Sequence, residues 1–323
     1  MTEAANSANL ADRPLRAVAL GGGHGLYATL SALRMLTDAL TAVVTVADDG
    51  GSSGRLRGEL GVLPPGDLRM ALTALAADDT GGSRWGELFQ HRFGGTGALA
   101  GHAVGNLLLA GLIEVLGDPV AALDEACALL RVRGRVLPMC THPLVIEAEV
   151  TGLGPDPHKS AQIRGQVAVA STPGRVQRVW LRPKQPSACR EAIEAVWAAD
   201  VVILGPGSWF TSVLPHLLVP ELRDALVGTP AQRLVVLNLA PQPGETAGFS
   251  PEQHLDVLNQ HAPELRVHVV LADSAAVPVP ERLRRSAEAL GGRAVLAPIG
   301  EPDGTPRHNP AALAEAVRGV LRS

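Results

Sequence analysis

Two stretches of sequence decide the fold: residues 17–25 read AVALGGGHG, and residues 41–54 read TAVVTVADDGGSSG. Each is a short apolar run that ends in glycines. A helical pattern lies between them, with Leu26, Leu30 and Leu33 on one face. A continuous β-branched run is typical of a strand that is buried on both faces of a sheet. The order strand, glycine loop, helix, strand is half of a doubly wound parallel sheet.

The last third of the chain repeats this alternation. Strands are predicted at 201–204, 234–239, 267–271 and 294–297. Helices are predicted around them at 187–199, 211–226, 251–261, 280–290 and 309–321. Parallel strands joined by right-handed crossovers form one sheet, so both ends of the chain are expected to contribute to it.

The middle of the chain breaks the pattern. Helices are predicted at 67–77, 85–93, 102–116 and 119–130. Short β-rich runs separated by turn clusters then predict antiparallel strands at 135–140, 144–150, 162–170 and 176–182. We therefore predict an α/β fold with a doubly wound, mostly parallel, Rossmann-like sheet. One domain spans 15–323, with a helical and antiparallel insertion at about 67–185, and 1–14 form a polar, disordered tail that lacks a secretory signal.

Composition excludes several classes of protein. With 46% hydrophobic residues in 323 and a mean hydropathy of +0.16, the chain is too apolar for intrinsic disorder. Three cysteines cannot build a disulfide framework, and unpaired thiols fit a reducing cytoplasm. The apolar stretch 103–116 contains Asn106 and Glu114 and is too short to span a membrane. A net charge of −4 gives no basic footprint for nucleic acid.

The first of four loops that follow predicted parallel strands lies between a strand and a helix. Ligands of such folds bind at this edge of the sheet. The loop contains Gly22, Gly23, His24 and Gly25, and Gly23-x-Gly25-x-x-Ala28 fits a relaxed dinucleotide fingerprint. Glycines let backbone N–H groups approach an anion, and the helix N-terminus adds partial positive charge. A tight turn without a ligand is the alternative.

The second loop is more specific. Asp48 lies 23 positions after Gly25, and the expected spacing for a carboxylate on a ribose hydroxyl is about 20. Asp48 and Asp49 together could instead hold Mg²⁺. A nest of backbone N–H groups, with Arg55 as a further anion donor, is predicted at Gly50, Gly51, Ser52, Ser53 and Gly54. A solvated loop with a capping aspartate is the alternative.

The remaining candidates are less specific. Gly205-Pro206-Gly207-Ser208 repeats the strand-to-glycine pattern, although Ser208 or Thr211 could simply cap the next helix. Buried Asn106 would need a hydrogen-bond partner from a ligand or from the core. The weakest candidates are a phosphate clamp at Arg131, Arg133 and Arg135 and a metal pair at Cys140 and His142. The residues alone therefore indicate a phosphorylated, nucleotide-like ligand.

Several segments together resemble the YvcK family of gluconeogenesis factors, relatives of the CofD phospholactate transferases. The matching segments are 21–25, 44–57 (VTVADDGGSSGRLR), 61–69 (GVLPPGDLR), 101–107 (GHAVGNL), 132–138, 204–220 and 242–246 (QPGET). They add Asp67 and Glu245 to the candidate site and include Asn106. The family usually has Thr at the position of His24, Asn at Met70 and Thr at Pro241. The glycine–serine loop after Asp49 and the lack of Asn-Pro at Gly205 favour the YvcK branch over CofD.

The resemblance implies a cytoplasmic, UDP-sugar-binding regulator, with UDP-N-acetylglucosamine as the notable ligand, that is needed for cell shape during gluconeogenic growth. It would place the diphosphate at 22–25 and 205–208, the ribose at Asp48 and a phosphate at Arg55. The alternative is a Mg²⁺-dependent CofD-like transferase acting on a deazaflavin, with Asp49 as a metal ligand. An NAD-dependent dehydrogenase is less favoured because no substrate-side acid–base pair is apparent.

Partners are less defined by the sequence. The resemblance points to a protein of cell-wall synthesis or its regulation as a partner. The helical middle contains Trp85, Phe89 and Phe93, which could form a homodimer face or belong to the core.

Overall fold

The computed structural model describes residues 13–322. The predicted tail, 1–14, lies outside the described residues except for Arg13 and Pro14. The guanidinium of Arg13 donates a hydrogen bond of 3.0 Å to the carboxylate of Asp200. This contact holds Arg13 against Asp200, the residue directly before the strand at 201–204.

The chain opens as the two deciding stretches predict. The first elements are β1 (Ala17–Gly21), α1 (Gly23–Leu33) and β2 (Leu40–Val44). Strands β1 and β2 pair in parallel, with Ala17 opposite Leu40. All five residues of β1 are buried, as expected for a strand covered on both faces.

A long helical crossover follows β2. Its helices are α2 (Gly51–Leu60), α3 (Pro65–Leu75), α4 (Thr80–Gln90), α5 (Val104–Leu116) and α6 (Pro119–Leu130). It ends in β3 (Arg135–Pro138), which pairs in parallel with β2. The prediction that 135–140 is an antiparallel, inserted strand is therefore wrong. A short apolar run does not reveal its partner or its direction, because both depend on where the preceding helices deliver it.

A small antiparallel sheet comes next. It contains β4 (Val145–Thr151), β5 (Ser160–Arg164) and β6 (Arg175–Arg182), in the order β5-β4-β6. The predicted strand 162–170 is wrong in its second half, which forms the short helix α7 (Gln166–Ala170). Gly165 has φ of 106°, a conformation that ends the strand and that other residues rarely adopt.

The last third alternates as predicted. Its elements are α8 (Arg190–Ala198), β7 (Val201–Leu204), α9 (Pro220–Gly228), β8 (Gln232–Val236), α10 (Pro251–His261), β9 (Val269–Asp273), α11 (Pro280–Ala289), β10 (Arg293–Ala297) and α12 (Pro310–Leu321). One helix differs from the prediction of 211–226. The chain forms a π-helical turn at Trp209–Val213 and a 3-10 turn at Leu214–Leu218 before α9 begins at Pro220. Pro215 and Pro220 each lack the N–H that a continuous helix requires at these positions.

The main sheet confirms the predicted fold class. Within the described residues it has seven strands in the order β10-β9-β8-β7-β1-β2-β3, all parallel. Helix α1 packs with α3 and α12, and α8 packs with α9. The chain winds outward from β1 in one direction and from β7 in the other, so right-handed crossovers cover both faces. The carboxyl ends of β1 and β7 therefore form the topological switch point, where such sheets bind ligands.

Candidate functional site

Two adjoining cavities lie at the switch point between β1 and β7. The polar cavity has a volume of about 260 Å³. The apolar cavity has a volume of about 510 Å³. Both are lined by His24, Gly25, Gly207 and Gln242, which stand on the boundary between them.

The polar cavity gathers residues from six separate segments. Its lining is Gly22, Gly23, His24, Gly25, Thr45, Asp48, Asp67, Gln166, Gly207, Ser208, Thr211, Ser212 and Gln242. Nine of the predicted site residues are in this set: Gly22, Gly23, His24, Gly25, Asp48, Asp67, Gly207, Ser208 and Thr211. The N-terminus of α1 forms one wall, so the partial positive charge of the helix faces the cavity, where the N–H of Gly23 hydrogen-bonds Asp67.

The apolar cavity lies on the β8 side of the boundary. Tyr27 and Ala28 of α1 form one wall, and the loop after β8 from Asn238 to Pro243 forms another. The third side is formed by Pro306, Arg307 and His308, from the segment between β10 and α12, and by Pro310, the first residue of α12. Tyr27 is 39% exposed, so its ring is available to stack on a planar ligand.

The loops after β1 and β7 are held firmly against each other. The hydroxyl of Thr29 donates to the carbonyl of Gly205 at 3.0 Å. The amide of Asn238 binds the backbone of Gly207 twice: Oδ1 accepts from its N–H at 2.9 Å, and Nδ2 donates to its carbonyl at 2.8 Å. The boundary between the two cavities is thus fixed by hydrogen bonds from α1 and from the end of β8.

Two carboxylates face the polar cavity. Asp67 lies in the first turn of α3. Burial and the neighbouring charge of Asp48 raise its pKa to about 7, although the N–H of Gly23 acts to lower it. Asp48 accepts a hydrogen bond from the N–H of Gly50 at 2.9 Å. Burial and the nearby charge of Asp48 therefore favour the neutral form of Asp67 below about pH 7.

Buried hydroxyls and a buried acid stand on the opposite wall. Ser208 hydrogen-bonds both Thr211 and the Oε1 atom of Glu245. Glu245 is 2% exposed and lies behind Ser208, outside the lining of either cavity. Burial raises the pKa of Glu245 to about 7, against the Ser208 hydroxyl and nearby N–H groups of Trp209 and Phe210, which lower it.

Asp49, the residue assigned to Mg²⁺ under the transferase alternative, points away from both cavities. Its carboxylate accepts hydrogen bonds from the N–H groups of Gln166 at 3.1 Å and Val167 at 2.9 Å. These are the first N–H groups of α7, which have no partner inside the helix. Asp49 therefore fixes α7, and with it Gln166, against the loop after β2.

We expect Asp49→Ala to lower the free energy of unfolding by about 1 kcal/mol, because it removes the acceptor for two helix N–H groups. Urea denaturation measures this change. The control is Asp224→Ala on exposed α9, which is expected to stay within about 0.5 kcal/mol of wild type. An unchanged midpoint in Asp49→Ala would show that the carboxylate is not needed to hold α7.

The predicted nest at 50–54 is instead the start of α2. Its side chains are used within the protein: Ser53 accepts from the N–H of Gly66 at 2.9 Å, and Ser52 hydrogen-bonds His102 at 2.9 Å. Gly50 and Gly51 begin the helix, so neither they nor the two serines line a cavity. Helix packing therefore uses the side chains of Ser52 and Ser53 within the protein, and the anion-donor role of this loop stays a prediction.

Arg55 and Asn106 also serve the crossover rather than the cavities. Arg55 donates to the carbonyls of Ala98 and Ala100. Buried Asn106 donates to Ser52 at 3.0 Å and accepts from Arg69 at 2.9 Å. The sequence alternative of a core partner for Asn106 is thus the one that the structure supports. Arg55 lines neither cavity, and its phosphate contact stays a prediction. Gly205 likewise lines neither cavity, although its neighbour Gly207 lines both.

The weaker candidates lie elsewhere. Arg131 pairs with Asp79, and Arg135, at the amino end of β3, pairs with Asp124. Among residues 13–322, no three His, Cys, Asp or Glu side chains converge to hold a metal, so Cys140 and His142 gain no further ligand. In the helical middle, Phe89 is buried in the core, whereas Trp85 is 36% exposed.

Several lining residues were not predicted. Thr45 follows β2 directly and belonged to a predicted strand. Gln166 is the first residue of α7. Neither Asn238 nor Tyr27 has a glycine or an acidic residue next to it in the sequence, so no motif marked them as site residues. Thr45 Oγ1 and Gln242 Oε1 are buried, line the polar cavity, and have no hydrogen-bond partner among the described residues. Such unpaired buried atoms are rare and point to a missing ligand or water.

The fold and site define a doubly wound α/β protein whose cavities open at the switch point of a parallel sheet. The family model described as 2-phospho-L-lactate transferase CofD matches residues 17–295. The chain belongs to this CofD family and, within it, to the gluconeogenesis-factor (YvcK) branch, as the predicted resemblance indicated.

Individual relatives support that assignment. A protein of Mycobacterium tuberculosis, described as "Putative gluconeogenesis factor", is 62% identical over 306 residues, which cover 94% of this chain and 89% of that protein. The "Gluconeogenesis factor" of Bacillus subtilis is 38% identical over 275 residues, covering 85% and 83%. The crystal structure of a UPF0052 family member from Bacillus halodurans superposes with a TM-score of 0.84 at 34% identity and covers 95% of this chain and 99% of that one. Among residues 13–322, no helix has both the length and the apolar character that a membrane crossing requires.

Proposed function

We propose that this protein binds a UDP-sugar, UDP-N-acetylglucosamine first among them, and acts as a regulator rather than an enzyme. The observation that carries the proposal is the pairing of a polar and an apolar cavity across one glycine boundary. A nucleotide sugar has a similar division, with a planar base whose ring faces can stack on apolar side chains, a diphosphate and a hydroxyl-rich sugar. The unpaired Thr45 and Gln242 oxygens in the polar cavity support a ligand that donates hydrogen bonds.

The chemistry of the two cavities suggests an orientation for the ligand. The uridine would occupy the apolar cavity against Tyr27. The diphosphate would lie on the boundary, where α1 begins, because the first N–H groups of a helix have no partner within it and the small residues Gly25 and Gly207 let an anion approach. The sugar hydroxyls would donate to Asp48 and Asp67. This replaces the expected ribose contact of Asp48, since that carboxylate lines the polar cavity but not the apolar one.

The proposed cellular role follows from the family. Relatives carry the name gluconeogenesis factor, which supports a role in growth on gluconeogenic carbon sources. We place the protein in the cytoplasm, where its three unpaired cysteines fit a reducing environment. We also propose that the protein controls cell shape through a partner protein of cell-wall synthesis. A homodimer whose interface includes the exposed Trp85 is the second partner that we propose.

Calorimetry tests the proposal directly. The purified protein is titrated with UDP-N-acetylglucosamine, UDP-glucose, NAD and a deazaflavin nucleotide, with and without Mg²⁺. The expected result is micromolar binding of a UDP-sugar without turnover. No heat with either UDP-sugar, but binding of NAD or the deazaflavin nucleotide, would contradict it.

Tyr27→Ala should weaken UDP-sugar binding roughly five- to a hundred-fold, because base–aromatic stacking contributes about 1–3 kcal/mol. The matched control is Met35→Ala, which removes a 54% exposed side chain just after α1 and outside both cavities. Equal affinity of the two variants would exclude the apolar cavity as the base site.

A CofD-like, Mg²⁺-dependent transferase remains the second candidate. The observation in its favour is that Asp48 and Asp67 face one cavity, since Mg²⁺ is held by one or two carboxylates together with phosphate oxygens. Those two residues, and not Asp49, fit the ion. Turnover of a deazaflavin acceptor that disappears in Asp67→Asn would favour this candidate.

A further inference from the structure

Glu245 is the buried acid that the proposed binding mode does not use. It comes from the loop after β8 and reaches the polar cavity only through Ser208, which lines that cavity together with Thr211. Its Oε2 atom is buried without a hydrogen-bond partner among the described residues. An ionised carboxylate there would leave a charged oxygen unpaired, so the neutral form is favoured by its surroundings.

The hydrogen-bond chain from Thr211 through Ser208 to Glu245 has few protons to share. Each hydroxyl has one proton, and an ionised carboxylate can only accept. When Glu245 is ionised, Ser208 must donate to it and Thr211 donates to Ser208. Both hydroxyl protons are then consumed, and the pair turns only lone pairs toward the cavity.

When Glu245 is neutral, its carboxyl group adds one proton to this hydrogen-bond chain. Its own O–H then donates to Ser208, and one of the two hydroxyl protons becomes free for a ligand. A phosphate oxygen accepts that proton in a charge-assisted hydrogen bond, whereas it is repelled by a lone pair.

We propose that Glu245 is a positioning residue whose proton decides whether the Ser208–Thr211 pair donates to, or repels, a phosphate on the boundary of the polar cavity. The inference rests on the proposed function, because it requires an anionic ligand there. Binding of the phosphate then takes up a proton at Glu245. The burial that raises the pKa of Glu245 to about 7 makes this exchange accessible near neutral pH.

Other titratable groups surround the same space. On elements packed around Glu245 or facing it across the cavity they are His24, Asp48, Asp67, His216 and His254. Burial lowers the pKa of His216 to about 4, so His216 is neutral between pH 6 and pH 8, and burial also lowers the pKa of His254. Asp67 titrates in the same range as Glu245, so the test must separate the two.

The test is a double-mutant cycle measured by calorimetry at pH 6 and pH 8. Wild type, Glu245→Gln, Ser208→Ala and the double variant are titrated with UDP-N-acetylglucosamine and, in parallel, with inorganic pyrophosphate. Gln is isosteric with neutral Glu and donates permanently to Ser208. Asp67 is present in all four proteins, so its share of the pH dependence cancels in the comparison.

We expect wild type to bind up to about ten-fold more weakly at pH 8 than at pH 6, because the neutral fraction of a carboxyl group with a pKa of about 7 falls about ten-fold between these pH values. Between pH 6 and pH 8, Glu245→Gln should lose less affinity than wild type does. The same substitution should make no such difference when residue 208 is alanine. Wild type at pH 8 should also take up a proton on binding, measured in two buffers of different ionisation enthalpy, and Glu245→Gln should take up less.

The outcomes distinguish the two proposals. If Glu245→Gln raises affinity at pH 8 equally with Ser208 and with alanine, the carboxylate acts by its charge alone and the inference fails. Wild type that takes up no more protons than Glu245→Gln also overturns it, and that measurement needs no cycle. If pyrophosphate shows the full pattern but UDP-N-acetylglucosamine does not bind, the inference stands and the proposed ligand is wrong.

Discussion

Gly25→Ala is expected to destabilise the protein and to abolish ligand binding. A Cβ atom at residue 25 would overlap the carbonyl oxygen of Pro206 and lie 2.6 Å from the Cα atom of Gly207. Both are backbone atoms of the facing loop, so the loops after β1 and β7 would have to separate. Such overpacking costs about 1–3 kcal/mol, and the separation would deform the boundary that both cavities share.

The matched control is Gly58→Ala on the exposed side of α2. Its added Cβ would meet no atom within 4 Å, and alanine stabilises a helix interior by about 0.5–1 kcal/mol relative to glycine. Urea denaturation should therefore move the two variants in opposite directions. If Gly25→Ala unfolds at the wild-type midpoint and still binds UDP-N-acetylglucosamine, the close approach of the two loops is not a constraint.

Asp67→Asn is expected to stabilise the unliganded protein at pH 8 by about 2–4 kcal/mol. The pKa of Asp67 is raised to about 7 in the folded protein from an ordinary value of 3.8. As pH rises from about 4 to 7, the unfolded chain loses the proton first, so stability falls by about 1.4 kcal/mol for each unit of the difference. Because water in the cavity screens the charge, the expected stabilisation is smaller than the value that the whole pKa difference would give. Asparagine stays neutral and avoids this loss.

The control for Asp67→Asn is Asp200→Asn, which should act in the opposite direction at pH 8. Burial opposes the charge of Asp200, but hydrogen bonds from Arg16 and Arg13 outweigh it and lower the pKa of that carboxyl. Its ionised form therefore stabilises the fold, and asparagine loses that contribution. Thermal unfolding at pH 4 and pH 8 separates the cases, and an Asp67→Asn gain that is equal at both pH values would rule out titration as its cause.

The parts of the site that sequence reasoning located are those set by sheet geometry. The loops at 22–25 and 205–208 were predicted to meet because parallel strands end at one edge and their glycines follow buried runs. Gly207 and Ser208 do line the same cavity as Gly23 and His24. Periodicity and glycine placement suffice for such residues, since both are local signals.

The residues that were misplaced depend on packing between distant segments. Ser52 and Ser53 are typical of a loop, yet they are consumed by Asn106 and Gly66 after the crossover helices assemble. Gln166 reaches the polar cavity only because Asp49 fixes the start of α7. None of these pairings has a spacing that one sequence could reveal. For the same reason β3 was assigned to the wrong sheet.

The crossover between β2 and β3 has a consequence for how such proteins diverge. One helix suffices to connect neighbouring parallel strands, yet this chain uses α2 to α6. For the sheet, the crossover only has to bring the chain back to the amino end of β3. The polar cavity, in contrast, depends on the crossover for one of its carboxylates, Asp67 in α3. Mutations in these helices can therefore change which ligand is bound during evolution, while the parallel sheet itself stays the same.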